Sequence, residues 1–441
     1  MSHIKYAAYR NRSGWNALLP SRDTAPPAVG RIKAKYAIVG AGYTGVAAAR
    51  RLAELDPDAA IVLIEGSVVG EGASARNSGF TGGRVLPKAN FGGARKDVGT
   101  AATFDKEQAV GVFNDEGFQY LQESVETYKI DCDLHRPGSF RASATEAGEQ
   151  MLRGIADQAR AAGQMPLEMT REDLIAQIGT SHYRYALYNG TTHLVQPAAL
   201  IRGLVDTLPV NVVVYENTKV RSFKRSARWL LDTGDAEIEA DTVILANNAF
   251  VKEFGLLKDK LLTLFTYAGI SEELTAEEAG LLGNRSSWGL TAAQRAGGST
   301  LRRVGDRRFM VRSLYSYEGE LSPDLVEKEL LARFHRRYPA LSHRRFEFTW
   351  GGLTDMTRNG SPVWGPLDEG LWVSCGYNGL GIAKGTVLGK RLAEKIVGVG
   401  DHAGLEKAFG KANWIPPEPF RRVGFAAITM LATKQAGVDA T

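Results

Sequence analysis

The spacing of apolar positions changes twice within thirty residues near the start of the chain. Residues 35–39 (KYAIV) form a short continuous apolar run of strand type, residues 44–55 are rich in alanine and valine at helical spacing, and residues 60–64 (AIVLI) form a second buried strand. Strand, helix, strand in that order predicts a parallel pair joined by a right-handed crossover, the opening of a doubly wound sheet. Residues 210–215, 242–246 and 371–375 are apolar enough to be further buried strands of it. From about residue 100 the pattern shifts to longer polar helices, 117–128 and 145–162, and to strands of mixed alternation, 139–143 and 183–188. A second run of this kind covers 261–341 and includes FMVRSLYSY at 309–317, whose large side chains suit a sheet face lining a cavity. The chain is therefore expected to cross several times between two domains. One is α/β and doubly wound, from 31–95, 194–255 and 345–400; the other is an α+β substrate domain on a mixed sheet, from 96–193 and 256–344. Residues 1–30, with Pro20, Pro26 and Pro27 and little periodicity, read as an extended N-terminal arm, and 401–441 as a C-terminal docking segment.

Bulk composition narrows the class without naming it. The 441 residues are 44% hydrophobic and 23% charged, which is ordinary for a folded chain long enough for two domains. The net charge of +5 comes with short basic clusters, Arg302-Arg303, Arg307-Arg308, Arg336-Arg337 and Arg344-Arg345, that lack interleaved aromatic platforms; they read as solvated surface and not as a nucleic-acid interface. Two cysteines, Cys132 and Cys375, are too few for a disulfide framework and favour a reducing compartment. The start MSHIKYAAYRNRSGW lacks the apolar core of a secretory signal, and no stretch reaches the roughly 18 apolar residues that would span a bilayer. A cytoplasmic protein without membrane association is expected. The seven histidines show no metal-ligand spacing, so no metal site is expected.

Candidate chemistry begins between the first strand and its helix. Gly40-Ala41-Gly42-Tyr43-Thr44-Gly45 fits G-x-G-x-x-G, and Glu65 ends the next strand 20 residues after Gly45. Gly40 allows the tight turn, Gly42 lets the backbone approach a pyrophosphate, Gly45 allows close helix packing, and Glu65 accepts from the ribose hydroxyls of an adenosine. This is the Rossmann-type signature of dinucleotide binding. The chain then continues through EGSVVGEGASARNSGFTGG, a segment small and flexible enough to wrap a long cofactor. Its backbone N–H groups and the hydroxyls of Ser74 and Ser78 are expected at phosphate oxygens, with Arg76 as the one cation.

The glycine loop, Glu65 and Ser74-Ala75-Arg76-Asn77-Ser78-Gly79 resemble the FAD-binding start of the glycine oxidase and D-amino acid oxidase superfamily, especially its γ-glutamylputrescine oxidase-like and sarcosine oxidase-like members. The likeness continues at Leu245-Ala246-Asn247-Asn248-Ala249, Trp350-Gly351-Gly352 and Gly376-Tyr377-Asn378-Gly379-Leu380-Gly381, in the family's order. It implies that the doubly wound domain binds FAD. The cofactor contacts it implies are Gly40, Gly42, Tyr43, Thr44, Gly45, Glu65, Gly66, Ser74, Arg76, Asn77, Ser78, Gly79, Val220, Asn248, Trp350, Gly376, Gly379, Leu380, Gly381 and Ile382. Strand 371–375, the glycine turn and a helix from about 382 to 397 would aim a second helix N-terminus at the flavin. Some relatives tether FAD through a cysteine just after the Trp-Gly pair; Leu353-Thr354-Asp355-Met356 holds none, so the FAD is expected to be non-covalent. Cys375 reads as a buried strand residue. Residues 385–391 have the wrong spacing for a P-loop.

The resemblance also implies the reaction, oxidation of a C–N bond of an amine or amino acid by hydride transfer to flavin N5, giving an imine that hydrolyses. Secondary or cyclic substrates of the pipecolate type and γ-glutamylputrescine-like amines fall within it, and O2 or a respiratory carrier is the expected electron acceptor. By that resemblance Arg84 stands near the place of an arginine that holds a substrate carboxylate. Lys384 is offset by one position from the family lysine, and Thr354 replaces an arginine found in D-amino acid and glycine oxidases. Arg312, Tyr315 and Tyr317 are further substrate-contact candidates from the residue pattern. Strand alternation puts the two tyrosines on one face and Arg312 on the other unless a bulge intervenes. A flavin-dependent monooxygenase and a non-catalytic dinucleotide-binding protein are the alternative readings.

Overall fold

A computed structural model describes residues 9–82, 101–293 and 297–440. Its strands and helices are numbered in chain order. The first sheet runs β17 (Val363–Asp368), β18 (Leu371–Cys375), β11 (Ala236–Leu245), β1 (Gly30–Val39), β2 (Ile61–Ile64), β8 (Val212–Tyr215). β18, β11, β1, β2 and β8 are parallel, and β17 returns antiparallel at the edge. The meander β9 (Ser222–Arg225) and β10 (Trp229–Asp232) extends from β11. Alternate residues of β1 and β2 serve two cores: Ile38 and Leu63 pack under the helices with Leu52, Ile201 and Leu392, whereas Val39 and Ile64 pack with Leu231, Leu245 and Val373. Both faces are covered, which is why these strands read as unbroken apolar runs.

The helical layer holds α2 (Tyr43–Leu55), α6 (Pro197–Asp206) and α9 (Gly381–Ile396), together with α3 (Ala101–Thr127) and α10 (Ala403–Phe409). Helix α2 packs on α9 so closely that a Cβ at Gly389 would meet the Thr44 carbonyl oxygen at 2.2 Å. The placement of α3 corrects the sequence expectation, which gave residues 96–193 to the substrate domain. Val110 and Phe113 of α3 pack with Val387, Leu388, Leu405 and Phe409, because an amphipathic stripe states that a helix has a buried face and not which sheet it covers.

The second sheet has the order β16 (Phe346–Met356), β12 (Leu262–Ser271), β15 (Arg308–Tyr317), β14 (Thr300–Val304), β13 (Gly289–Ala292), β4 (Ser139–Ser143), β6 (Tyr185–Asn189), β5 (Leu167–Thr170). It is antiparallel except for the parallel pair β13–β4. β16 pairs with β12 along its whole length, so residues 346–356, expected in the first domain, are an edge strand of the second sheet. Helix α8 (Pro323–Arg337) covers one face through Phe334, stacked on Phe309 at 5.0 Å, and Leu330. Helices α4 (Glu146–Ala161), α5 (Arg171–Ile178) and α7 (Ala276–Gly280) flank it. The other face is turned towards the first domain, and a two-stranded ribbon, β3 (Phe80–Thr81) with β7 (His193–Leu194), lies between the sheets.

The N-terminal segment departs from the extended arm expected of it. The arm carries a short helix, α1 (Gly14–Ala17), whose Trp15 is buried against Trp350 and donates from Nε1 to the Asn77 carbonyl at 2.8 Å. It is thus part of the core, and four helical residues are too few to leave a periodic signal. Helix α11 (Phe420–Ala436) leaves Phe420, Val423, Met430 and Leu431 exposed and buries Phe425 against Tyr317. The residues after it anchor it: Asp439 accepts from Ser143 Oγ at 2.5 Å and from the Ala144 N–H at 2.7 Å. Among the described residues no helix is long and apolar enough to cross a membrane.

Candidate active site

A cavity of about 560 Å³ lies between the two sheets, lined from the glycine loop at one end to β4, β14 and β15 at the other. That volume is within the range of cofactor sites. At the loop, Gly40 has φ +105°, and a Cβ there would come within 2.8 Å of the Ala246 carbonyl oxygen. Gly45 packs its Cα face on the Gly40 carbonyl, where a Cβ would be 1.9 Å from the oxygen. Neither position admits a side chain. Glu65 accepts the Ala41 N–H at 3.0 Å and the Ser67 N–H at 3.1 Å. Burial pushes its carboxyl above the usual range, and the remaining lone pairs of its two oxygens are available to ribose hydroxyls.

Two helix N-termini open on the cavity, and both lack a side-chain cap. Gly42 precedes α2 and Leu380 precedes α9 with no N-cap side-chain hydrogen bond, Ser74 Oγ being a distant partner for the first N–H of α2; α8, α10 and α11 are likewise uncapped, and Thr145, Thr170, Gln196 and Thr275 cap α4, α5, α6 and α7. Bare helix N-termini present orphan N–H donors and a partial positive charge. A pair of them in one cavity favours a ligand with two separate electron-rich groups, as a diphosphate and a reducible ring would provide. Asn247 and Asn248, the latter at φ +55°, line the same space, and their Oδ1 atoms have no hydrogen-bond partner. Such orphaned buried acceptors fit a ligand that donates.

The two ends of this cofactor-sized site are tied together by side chains of which sequence reasoning had singled out only Thr44. Thr44 Oγ1 donates to Tyr377 Oη at 2.7 Å, and Tyr377 Oη bonds the Ser374 carbonyl at 2.6 Å, linking α2 to the β18–α9 turn. The turn itself is held by Asp355, at the end of β16, which accepts the N–H groups of Gly376 and, at 3.2 Å, Tyr377. Burial pushes Asp355 up to about 6 against those bonds and the charge of Lys384. The only sequence signal for it was an acid following an apolar strand. From the second sheet Arg302, wholly buried and pushed down to about 10 by that burial, donates to the carbonyls of Ser78 at 3.1 Å and Val195 at 2.8 Å. It clamps the segment that follows β2.

The predicted cofactor residues divide accordingly. Gly40, Gly42, Tyr43, Thr44, Glu65, Gly66, Ser74, Asn77, Ser78, Val220, Asn248, Gly379, Leu380, Gly381 and Ile382 line the cavity. Ser74 Oγ accepts the Tyr43 N–H at 3.3 Å, at the mouth of the glycine loop, and Asn77 braces its own loop through the carbonyl of Ser74 at 2.7 Å and the N–H of Gly79 at 2.8 Å. Gly45, Gly79 and Gly376 shape the backbone from behind, the last two at positive φ. Two expectations need correction. The Arg76 guanidinium bonds the carbonyls of Glu71, Asn11 and Gly351 at 2.7–2.9 Å, pairs with the Glu71 carboxylate at 3.2 Å and stacks 3.7 Å over Tyr9. Those contacts hold its guanidinium in the wall, although the residue still lines the cavity. Trp350 is 1% exposed, donates to the Arg76 carbonyl and lies behind that wall, so that Gly352 and not the indole faces the cavity.

At the far end the pairing of β12 with β15 slips between Thr266 and Tyr267, leaving Leu314 as an extra residue at φ +61°. This is the bulge that strand alternation required, and it brings Arg312 and Tyr315 to the same side, with Arg312 Nη1 2.7 Å from Tyr315 Oη. Tyr317 is corrected: its hydroxyl bonds Glu418 and its ring packs on Phe425, in a groove beside α11. Lys384, on the first turn of α9, reaches the Tyr377 carbonyl at 3.4 Å and lines the cavity. Arg84 lies outside the described residues. Thr354 lines the cavity, and neither cysteine does; burial raises the thiols, Cys132 to about 12 and Cys375 well above the usual value. Among the described residues no cluster of His, Cys, Asp or Glu could hold a metal.

The family model for FAD dependent oxidoreductases of the DAO type matches residues 35–395. The chain belongs to this family. It is 26% identical over 365 residues to the gamma-glutamylputrescine oxidoreductase of Escherichia coli K12, covering 82% of this chain and 83% of that one. To the probable oxidoreductase OrdL of Rhizobium meliloti it is 25% identical over 407 residues, covering 88% of each. Glycine oxidase from Geobacillus kaustophilus shares the fold at a TM-score of 0.67 and 20% identity, over 84% of this chain and 97% of that one. L-proline dehydrogenase from P. horikoshii does so at 0.65 and 17%, over 85% and 96%. The protein is thus an FAD-dependent oxidoreductase of the DAO family, and the uncapped helix ends, the glycine loop and Glu65 are residues that fit FAD.

Proposed function

We propose that the protein oxidises the C–N bond of an amine that carries a carboxylate, with non-covalently held FAD. When bound, FAD supplies the two-electron acceptor. The observation that carries the substrate reading is the Arg312–Tyr315 pair, a guanidinium and a phenol 2.7 Å apart facing the cavity, with no carboxylate paired to Arg312 among the described residues. A planar cation beside a hydroxyl donor is suited to a carboxylate. The Arg312 charge has a second effect. It disfavours the ammonium form of a bound amine and so favours the neutral nitrogen that oxidation needs. Similarity to a gamma-glutamylputrescine oxidoreductase and to amino acid-oxidising folds supports the C–N bond as the target. The cysteines lie away from the cavity lining, which supports a dissociable flavin.

The test is anaerobic bleaching of the flavin by a panel of primary, secondary and cyclic amines with and without a carboxylate, followed by oxygen uptake and dye reduction in parallel. Bleaching by carboxylated amines, and much less by their decarboxylated counterparts, is expected. Bleaching by NADPH alone would replace this reading with a monooxygenase, and bleaching by no amine would remove it. Acid precipitation is expected to release the colour to the supernatant; colour retained in the pellet would refute the non-covalent cofactor.

A further inference from the structure

Helix α11 is apolar on two opposite sides. Phe425 and Ala436, eleven residues apart, are buried, and the Phe425 ring packs on Tyr317. Phe420, Val423, Met430 and Leu431 have the i, i+3, i+10, i+11 spacing of a single stripe on the other side, and they are between 54 and 67% exposed. Among the described residues no other α-helix exposes more than one large apolar side chain. Trp414 before the helix and Val438 after it are exposed as well. The helix follows residue 395, where the match to the family model ends, so the fold common to the family does not account for the stripe.

The charge around the stripe has one sign. No acid occurs between Pro419 and Val438. The acids that bound this stretch are occupied: Glu418 accepts from the Tyr317 hydroxyl, and Asp439 is buried on Ser143 and the Ala144 N–H. Arg422, stacked over Tyr317 at the edge of the stripe, and Lys434, within it, are exposed and have no ion-pair partner among the described residues. The area decides between a second copy and a lipid surface. A helix of 17 residues is about 25 Å long and about 10 Å wide, so its outer side offers about 250 Å², against about 800 Å² per partner in a stable protein interface. A bilayer surface sets no such threshold, because a narrow apolar strip sinks between the headgroups while the cations beside it meet lipid phosphates.

We infer that the outer side of α11 is a docking surface for an anionic phospholipid membrane, on which the helix lies without crossing. The expectation of no membrane association, drawn from the lack of a spanning segment, concerns a different mode of attachment. Flotation of the FAD-loaded protein with vesicles tests the inference. Partition onto vesicles of equal parts phosphatidylglycerol and phosphatidylcholine is expected to exceed partition onto phosphatidylcholine alone by at least about tenfold, from two cations near the surface. Val423→Glu and Leu431→Glu should each lower partition onto the anionic vesicles by at least about tenfold, with bound-flavin absorbance and circular dichroism unchanged. Arg422→Gln combined with Lys434→Gln should remove the preference for anionic vesicles. Equal partition onto the two kinds of vesicle, or none onto either, would overturn the inference, as would binding that survives both glutamate substitutions. Light scattering supplies the remaining outcome: wild-type dimers that Leu431→Glu converts to monomers would assign the stripe to a second copy and overturn the membrane reading.

Discussion

Replacing Asp355 by asparagine tests the device that holds the second glycine turn. Asp355 accepts two backbone N–H groups, yet burial outweighs them and lifts its carboxyl from 3.8 to about 6. Between those values the folded chain binds more protons than the unfolded one, so stability is lost as pH rises through that window. Over the whole of it the loss is about 3 kcal/mol, from about 1.4 kcal/mol per unit. Within the experimentally convenient interval from about pH 4.5 to 7.5, integration leaves about 2 kcal/mol. Asparagine has nearly the shape of the neutral acid and does not ionise. The stability of Asp355→Asn minus that of wild type should therefore rise by about 2 kcal/mol across this interval.

Urea unfolding followed by tryptophan fluorescence, at several pH values and with FAD present in fixed excess, measures this difference. Every other titrating group is common to both proteins and cancels in it, provided the sites are independent. A difference that stays flat would mean that the carboxyl is not raised by burial. A difference that moves the other way would mean that the N–H groups of Gly376 and Tyr377 hold the ionised form more strongly than burial opposes it.

Other perturbations follow from individual contacts. Gly42→Val would put a branched side chain at the loop, where even a Cβ comes 2.8 Å from Ser74 Oγ; flavin retention on dialysis should fall by more than about tenfold in dissociation constant while circular dichroism is unchanged. Glu65→Gln loses the charged acceptor and should weaken FAD by about 1–3 kcal/mol, read by fluorescence titration. Arg312→Met should raise KM for carboxylated amines by about 30-fold or more without changing FAD affinity, in steady-state assays with flavin-loaded enzyme. Tyr377→Phe removes the hydroxyl shared by Thr44 and Ser374 and should cost about 1 kcal/mol in urea unfolding.

What could be read from the sequence was what backbone geometry dictates through residue type. Gly40 and Gly45 occupy places where a side chain would collide with a carbonyl, so the loop was visible as a pattern, and the adjoining strands were visible because both of their faces are buried. Residues whose role depends on a distant partner left no such mark. Asp355 acts on a turn 21 positions away and Arg302 on a carbonyl 224 positions away. Arg76 was a lone cation in a glycine-rich segment, and only the fold brings Glu71, Tyr9 and the Gly351 carbonyl around it. The bulge at Leu314 was required if Arg312 and Tyr315 were to share a side, but a leucine at positive φ is disfavoured by its own chemistry and is imposed by the pairing of β12 with β15.

The two walls of the cavity are built on different principles, and the difference explains why one was legible and the other was not. On the first sheet the groups facing the ligand are mainly backbone N–H donors at two uncapped helices, and their positions follow from glycine spacing. On the second sheet the cavity is lined by side chains such as Thr291, Thr300 and Arg312, whose neighbours in space are set by register alone. A backbone site tolerates change in side chains around it and so suits a cofactor common to a family. A register site changes its charge pattern with one substitution per strand, leaving the sheet intact, and so suits selection among substrates. The consequence is that substitutions at Thr291, Thr300 and Arg312 should move ligand preference with little effect on FAD, whereas those in the glycine turns should release the flavin before any change in ligand preference is measurable.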